Sequence, residues 1–215
     1  MPMDVIVFGT GQVSKLARYH LEQEGSHRVA AFTVDAGWIT EPSFCGIPVV
    51  PFEELAERYP PERFAMFVPL SYRNRNRLRV EKYHAAKLMK YGFVSIVPAE
   101  VGADHSVQTG ENCFIAPGAI VRPFARIGDN CHVAAGAVIS HDVVVERHCF
   151  VSSAAVVGGG AHVGEGCVIA LNATVLNGIR VAPRCLIGAG AVLTADSAPE
   201  GVYVGVPARR RAGVA

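Results

Sequence analysis

His141 followed by Asp142 is the pair of residues in this chain best suited to acid–base chemistry. A histidine titrates near neutral pH, and a neighbouring carboxylate can hold its tautomer and stabilise the imidazolium. Eighteen residues later stands Gly159, between Gly158 and Gly160. If eighteen residues make one structural repeat, His141 lies beside a wall without side chains, where a ligand can approach the backbone. We therefore predict a general base beside a narrow substrate channel; a purely structural turn is the alternative.

A second candidate site lies near the N-terminus, where Gly9, Thr10 and Gly11 follow an apolar run and precede a helical pattern. Backbone amides in such a loop can hold a phosphate. Asp35 ends the next predicted strand, where an acid can accept hydrogen bonds from a ribose or a base. The third glycine of the dinucleotide fingerprint is absent. The domain holds only one mononucleotide-sized half, so a nucleotide-activated substrate fits better than a complete dinucleotide. A tight turn with a loop acid is the alternative.

Four arginines alternate with other residues after Leu70, at Arg73, Arg75, Arg77 and Arg79. Cations at the start of a helix oppose its dipole, and a bound diphosphate would compensate them. Arg73 is therefore a candidate substrate-binding residue. Exposed charge runs are usually solvated faces, and we favour that interpretation for the segment.

The elements that must position His141 follow a repeat of six residues. Small or apolar residues stand two positions before each aliphatic residue of the repeat. Neither a helix nor simple strand alternation has this period, which predicts a parallel β-helix with three short strands per turn. The fourteen aliphatic positions are Ile115, Val121, Ile127, Val133, Ile139, Val145, Val151, Val157, Val163, Ile169, Val175, Val181, Ile187 and Leu193.

Five of the six cysteines are spaced by eighteen residues, or one coil, which predicts a column on one inner wall. Free cysteine packs as a small hydrophobic residue, and a metal site needs ligands that converge from several directions. We therefore expect a packing role without disulfides or metal. The five are Cys113, Cys131, Cys149, Cys167 and Cys185.

The first part of the chain alternates strand and helix patterns and predicts a small Rossmann-like α/β domain over residues 1–98. The β-helix and a C-terminal tail occupy residues 99–215. The predicted strands are residues 4–9, 28–34, 47–50, 64–70 and 93–97, and the predicted helices are residues 12–24, residues 52–58 and one ending at Lys90.

Composition excludes several functional classes. The net charge of +1 argues against nucleic-acid binding, and no apolar run is long enough to cross a bilayer. The N-terminus lacks a secretory signal pattern, so we expect a cytoplasmic protein without membrane association. Only 18% of the residues are charged, and the outward residues Ala134, Phe150 and Val168 predict faces hidden in a homotrimer.

The remaining histidines offer weaker candidates. His132 and His162 occupy outward positions, where we expect contacts with neighbouring subunits. His148 lies at a corner and is the next candidate base after His141. The hexapeptide carbonic anhydrases bind zinc with a histidine pair five residues apart, whereas His141 and His148 are seven apart. We therefore expect no zinc.

The repeat, the His141–Asp142 pair and the closing segment at residues 201–209 resemble the NeuD/PglD-like left-handed β-helix sugar acetyltransferases. The resemblance covers nearly the whole chain, although Ser14 replaces a usual glycine of the first loop. It implies a trimer, with acyl-CoA between adjacent prisms and a nucleotide sugar on the N-terminal domain. It places catalysis at His141 and Asp142, and sugar-nucleotide binding at the loop of residues 9–11 and at Asp35. The CoA-groove residues that it implies are Gly158, Gly159, Ala170, Gly188, Ala189, Pro207 and Arg209.

The leading interpretation is an acetyl-CoA-dependent N-acetyltransferase that acts on a nucleotide-linked amino sugar for surface polysaccharide synthesis. O-acetylation of a sialic acid or a related sugar is the enzymatic alternative. A different class is a non-catalytic trimeric scaffold or sugar-nucleotide binder. The His141–Asp142 pair beside the glycine run argues against that class.

Overall fold

The computed structural model describes residues 3–23, 27–102 and 104–211. Glu24, at the end of the first predicted helix, and residues 212–215 of the tail lie outside this range. The chain forms two compact units. The first contains Met1–Ser71 and Leu78–Ile96, and the second contains Tyr72–Arg77 and Val97–Ala215.

The first unit is a six-stranded sheet with helices, in the strand order β3-β4-β2-β1-β5-β6. All neighbouring strands pair in parallel except β3 and β4, which form an antiparallel hairpin. Its elements are β1 (Met3–Phe8), α1 (Gln12–Gln23), β2 (His27–Val34), β3 (Ser43–Phe44), β4 (Ile47–Pro51), α2 (Leu55–Arg58), β5 (Ala65–Phe67), α3 (Arg77–Leu88) and β6 (Gly92–Phe93). Short 3₁₀ helices cover Ala36–Trp38 and Phe52–Glu54.

The apolar runs of the sequence form the centre of this sheet. Val5, Ile6 and Val7 of β1 are fully buried, as expected for a parallel strand covered on both faces. The predicted parallel α/β fold is confirmed. The hairpin β3–β4 was not predicted. Cys45 and Gly46 connect its strands with positive φ angles of 52° and 75°, which suit a tight two-residue turn.

The arginine-rich segment is only partly solvated. Arg79 is 2% exposed, and its guanidinium donates a hydrogen bond of 3.0 Å to the carbonyl of Leu70. It shares the buried face of α3 with Lys82, Tyr83 and Ala86, at the i, i+3, i+4 and i+7 spacing of an amphipathic helix. The prediction of a solvated face is therefore wrong for Arg79, whereas Arg73 is exposed.

The second unit is a left-handed parallel β-helix, as predicted. From residue 108 to residue 193, each strand pairs in parallel with the strand eighteen residues later, as Val138 does with Val156. The three sheets have the orders β19-β16-β13-β10-β7, β23-β22-β20-β17-β14-β11-β8 and β21-β18-β15-β12-β9. After α4 (Ala99–Gly102) the strands are β7 (Gln108–Thr109), β8 (Phe114–Ile115), β9 (Ile120–Val121), β10 (Arg126–Ile127), β11 (His132–Val133), β12 (Val138–Ile139), β13 (Val144–Val145), β14 (Phe150–Val151), β15 (Val156–Val157), β16 (His162–Val163), β17 (Val168–Ile169), β18 (Thr174–Val175), β19 (Arg180–Val181), β20 (Leu186–Ile187), β21 (Val192–Leu193), β22 (Val202–Val204) and β23 (Arg209–Arg210).

The β-helix begins one strand earlier than the aliphatic repeat indicates. Thr109 of β7 occupies the position six residues before Ile115 and pairs with Ile127. Threonine was outside the aliphatic pattern, so the sequence repeat did not show this strand. At the other end, Tyr203 pairs with Ile187 after a break in the six-residue register, and β23 adds an antiparallel edge.

The cysteine column is part of the core. All five thiols of the column are buried, and Cys149 Sγ donates to the carbonyl of Gly164 at 3.1 Å. The other four make the corresponding bond at 3.1–3.2 Å. Burial raises the pKa of the Cys149 thiol well above its usual range, because the thiolate would be desolvated. Cys149 therefore packs as a neutral group in the centre of the column.

One outward column is already covered within the single chain. His132 lies between the rings of Phe114 and Phe150, with both centroid distances 4.6 Å, and Tyr72 packs edge-on against Phe150 at 4.9 Å. His132 and Phe150 are each 8% exposed, and Val168 is 1% exposed. The expectation that these three residues form subunit contacts is wrong, because other parts of the same chain cover them.

No helix in the described residues is long and apolar enough to cross a membrane.

Candidate active site

His141 lies at the corner between β12 and β13, and backbone hydrogen bonds to both neighbouring coils hold it there. The carbonyl of His141 accepts a bond of 3.0 Å from the Gly160 amide, and the Asp142 amide donates to the Pro123 carbonyl at 3.2 Å. Asp142 has a φ of 58°, a left-handed conformation that aspartate tolerates better than most residues. Hydrogen bonds to the coils before and after therefore fix the backbone from which both side chains project.

The two side chains form a hydrogen-bonded pair. His141 Nδ1 lies 2.8 Å from Asp142 Oδ2. Because an ionised carboxylate only accepts hydrogen bonds, this contact places the proton on Nδ1 and leaves the Nε2 lone pair available as a base. The side chains are 68% and 61% exposed, so a substrate can reach them.

The glycine run holds the His141 ring closely. A Cβ atom at Gly159 would lie 2.7 Å from His141 Nε2 and 2.9 Å from Cε1, distances that real Cβ atoms essentially never show. A Cβ atom at Gly158 would lie 2.4 Å from Asn177 Oδ1. The expected wall without side chains is thus partly filled, because these two glycines make room for the side chains of His141 and Asn177.

Gly159 also offers an unused backbone donor. Its carbonyl accepts a hydrogen bond of 3.0 Å from the Gly178 amide, whereas its own N–H donates to no acceptor in the described part of the chain. An N–H beside a general base can stabilise the oxyanion that forms when a carbonyl is attacked. The position therefore places an unpaired backbone donor beside the candidate base.

The other histidine candidates do not offer a free base. His148 is 1% exposed, and its Nδ1 lies 2.9 Å from Asn130 Nδ2 in a buried polar ladder. Because its ring is buried, it cannot reach a substrate. The prediction that His148 is the next candidate base is therefore wrong. His162 Nε2 lies 2.8 Å from Glu146 Oε1 and is partly buried. Among the described residues, no group of three or more His, Cys, Asp or Glu side chains could hold a metal ion.

The residues expected along a CoA groove lie on two edges of the prism. Gly158 and Gly159 share the edge between β15 and β16 with the His141 corner. Ala170, Gly188 and Ala189 lie at the edge between the β14-β17-β20 sheet and the β15-β18-β21 sheet. Pro207 and Arg209 belong to the closing segment, and Arg209 lies on β23. A single chain therefore does not bring all seven together, and both edges border the sheet that contains β12, β15 and β18.

The loop after β1 is a tight turn whose conformation explains Ser14. Gly9 has a φ of 104°, and its amide donates to the Thr33 carbonyl at 2.7 Å. Ser14 Oγ donates to the Phe8 carbonyl at 3.2 Å and lies 2.6 Å from where a Cβ of Gly9 would stand. Serine at position 14 thus ties the loop to the strand. Gly11 has open space around it, as a phosphate-binding position requires.

Asp35 has a structural partner that the sequence did not indicate. Lys82 Nζ lies 2.6 Å from Asp35 Oδ1 and also stands over the rings of Phe8 and Phe52, at 5.7 and 5.5 Å from their centroids. One carboxylate oxygen is therefore engaged within the first unit. The expected ribose or base contact of Asp35 would have to use the other oxygen.

A pocket of about 240 Å³ adjoins the loop of residues 9–11 and was not predicted. Thr10, Trp38, Glu41 and Phe44 are among the residues that line it. Trp38 is the one tryptophan of the chain and follows Asp35 closely, so its type and position were the available signals. The other wall is the unpredicted hairpin β3–β4.

Comparison with protein families agrees with the repeat. Residues 106–141 match the model described as bacterial transferase hexapeptide (six repeats). Residues 142–176 and 163–195 match the model described as hexapeptide repeat of succinyl-transferase. No curated protein matches the chain in sequence.

Solved structures match over nearly the whole chain. PerB from Caulobacter crescentus, in complex with CoA and GDP-perosamine, is 28% identical, with a TM-score of 0.85 and 97% of each chain covered. A mutant of GDP-perosamine N-acetyltransferase from the same organism, with the same two ligands, is 26% identical, with a TM-score of 0.85 and coverage of 97% of this chain and 96% of that one. The acetyltransferase domain of PglB from Neisseria gonorrhoeae is 23% identical, with the same TM-score and coverage of 97% and 99%, and shows a shared fold.

The repeat models and the full-length structural matches agree with the geometry of the two units. They confirm the resemblance to the NeuD/PglD-like left-handed β-helix sugar acetyltransferases and identify the chain as a hexapeptide-repeat acyltransferase.

Proposed function

We propose that this protein transfers an acetyl group from acetyl-CoA to the amine of a nucleotide-linked amino sugar. The observation that carries the proposal is the hydrogen-bonded His141–Asp142 pair whose ring lies against Gly159. CoA bound to PerB and to the GDP-perosamine N-acetyltransferase supports the choice of donor. The sugar nucleotide in the same two structures supports the choice of acceptor.

In the proposed reaction, His141 Nε2 accepts a proton from the attacking amine. The amine nitrogen bonds to the thioester carbon, and the carbonyl oxygen becomes an oxyanion that the Gly159 N–H can bind. The C–S bond then breaks, and the proton held by His141 passes to the departing CoA sulfur. Asp142 holds the Nδ1 proton throughout and stabilises the imidazolium, as carboxylates do in related pairs.

Direct transfer is favoured over a covalent acyl-enzyme. The β-helix thiols point into the core, where Cys149 is fully buried and bonded to the Gly164 carbonyl. Burial raises the pKa of that thiol, so the nucleophilic thiolate is not formed near neutral pH. Acetyl-CoA and the sugar must therefore be bound together when the amine attacks.

The first unit supplies the proposed sugar-nucleotide site, through the open loop at Gly9, Thr10 and Gly11. Asp35 is proposed to contact the ribose or base with its free carboxylate oxygen. Arg73 is exposed, and we propose that its guanidinium contributes to binding the diphosphate.

We also propose a homotrimer, for two reasons. The CoA-groove candidates occupy two edges of the prism, so a second copy is needed to bring them together. The sheet between those edges presents outward aliphatic residues, with Ile120 44% exposed and Val138, Val156 and Val192 partly exposed. Sedimentation equilibrium should give three times the mass of the 22.9 kDa chain. A monomer at micromolar concentration would contradict the proposal.

A cytoplasmic location is part of the same proposal. All six cysteines are unpaired, and unpaired thiols suit a reducing compartment.

O-acetylation of a sialic acid or a related sugar uses the same base and is the enzymatic alternative. A non-catalytic binder is the second alternative. The experiment that separates them is the release of free CoA thiol after acetyl-CoA is mixed with a panel of nucleotide-linked amino sugars, their hydroxyl analogues and free sialic acid. We expect thiol release, and an amide product, only with nucleotide-linked amino sugars. Release with hydroxyl analogues would favour the O-acetyltransferase, and no release with any substrate would favour the binder.

A further inference from the structure

The pocket beside the loop of residues 9–11 has the size and lining of a site for one flat ring. Its volume is about 240 Å³, and its apolar walls include Ile39, Phe44 and Val49. Thr10 belongs both to the pocket and to the proposed phosphate loop. A nucleotide whose phosphates bind at that loop would therefore have its base within reach of this pocket.

Trp38 gives the pocket an aromatic surface held on a fixed turn. Its side chain is 77% exposed, which is unusual for the largest apolar side chain of a protein. The Trp38 amide donates to the Asp35 carbonyl at 2.8 Å, and the Ala36 amide donates to Glu53 Oε2 at 3.1 Å. An exposed indole on a hydrogen-bonded turn is suited to stack on a base.

Glu41 gives the pocket a polar group without a partner. It lines the pocket and is exposed, and its carboxylate makes no hydrogen bond or ion pair with any residue that the structure describes, so a ligand can reach it. An ionised carboxylate can only accept hydrogen bonds, and two adjacent donors satisfy it best.

The bases differ in how they can meet such an acceptor. The Watson–Crick edge of guanine carries two neighbouring donors, N1–H and the N2 amino group. Adenine and cytosine place one amino donor beside an acceptor ring nitrogen. Uracil and thymine place a single N–H between two carbonyl oxygens, which would repel the carboxylate. Guanine is therefore the base that fits Glu41 with two hydrogen bonds.

We infer that this pocket binds guanine, with Trp38 stacked on the ring and Glu41 accepting from N1–H and N2, so that the acceptor sugar is carried by GDP. This inference rests on the proposed function for the sugar and extends it to the choice of base. Trp38 can stack on any of the bases, whereas the hydrogen bonds to Glu41 determine which base is preferred.

The test is calorimetric titration of the full-length protein with GDP, ADP, UDP and dTDP, which requires no acetyl transfer. We expect GDP to bind at least about tenfold more tightly than the other three, the usual discrimination of a two-bond contact. Glu41→Gln should weaken GDP binding by about tenfold or more and leave UDP binding nearly unchanged, because an amide offers one acceptor and adds a donor. Trp38→Ala should weaken all four nucleotides. Glu57→Gln, an exposed glutamate on α2 outside the pocket lining, is the matched control and should bind GDP as the wild type does.

Equal or tighter binding of UDP or dTDP, an unchanged GDP affinity in Glu41→Gln, or no binding of any nucleotide would overturn the inference. Its failure can be distinguished from failure of the proposed function. Selective GDP binding without thiol release from GDP-linked amino sugars would contradict only the proposed function. Thiol release with UDP-linked amino sugars at the same efficiency would contradict only the choice of guanine.

Discussion

Replacing Gly159 by alanine should displace the base without disturbing the fold. The new Cβ would stand 2.7 Å from His141 Nε2, whereas ordinary van der Waals contact begins at 3.4 Å. The imidazole must therefore move by about 0.7 Å, or the coil must shift by as much. Gly159 does not have a left-handed φ, so alanine meets no backbone strain there.

The expected effect is on turnover. A displacement of about 1 Å at a reacting group can cost about 10²-fold, so we expect Gly159→Ala to lower kcat by roughly 10- to 100-fold. The hydrogen bond of 2.8 Å between His141 and Asp142 would be distorted at the same time. The assay is steady-state thiol release with both substrates saturating, together with a thermal melt of each variant.

Gly178→Ala is the matched control, on the same edge of the prism. It has a φ of 70° and open space around it, so alanine there meets strain but touches nothing. That variant should lose about 1 kcal/mol of stability and keep its kcat. The reasoning would be refuted if Gly159→Ala kept a kcat within about threefold of the wild type, or if Gly178→Ala lost as much activity as Gly159→Ala.

Three further variants test separate parts of the account. Asp142→Asn tolerates the left-handed backbone but removes the charge beside Nδ1, so kcat should fall by about tenfold or more with the melting temperature unchanged; an unaltered kcat would show that the carboxylate is not needed. Cys149→Ala should cost on the order of 1 kcal/mol in urea unfolding and Cys149→Asp should prevent folding, whereas tight zinc that is lost in the alanine variant would contradict the packing role. Asp35→Ala should raise the KM of the sugar nucleotide and leave that of acetyl-CoA unchanged; equal changes in both would contradict the assignment of the acceptor to the first unit.

The β-helix could be predicted closely because aliphatic residues recur every six positions in the sequence. Every rung must place a small residue and an aliphatic residue inside, so the period of six sets both the strands and their register. The same arithmetic placed Gly159 beside His141. It could also have placed Asn177, one coil after Gly159, against the glycine run, but it carries no information on which way an amide side chain turns.

Contacts from distant parts of the chain could not be predicted in this way. Phe150 and Val168 are outward by register, yet they are buried in the single chain, with Tyr72 packed on Phe150. Arg79 is charged, yet its position on the helix directs it to the core. For Phe150 and Val168, burial depends on partners that no local pattern identifies.

The base pocket depends on an element that was missed. The hairpin β3–β4 has only two residues in its first strand, too few for an alternating pattern. Without that wall, Trp38 and Glu41 are separate loop residues with no predicted relation. Their common position is a result of tertiary structure.

The central claim is that His141 is the general base for acetyl transfer, and the most direct measurement is the kcat of His141→Ala. General-base catalysis typically contributes about 10²–10⁴ in rate. We therefore expect thiol release to slow by roughly 10²-fold or more, with the calorimetric affinity for CoA nearly unchanged, because the ring is not required for donor binding. A kcat within about threefold of the wild type would contradict the account.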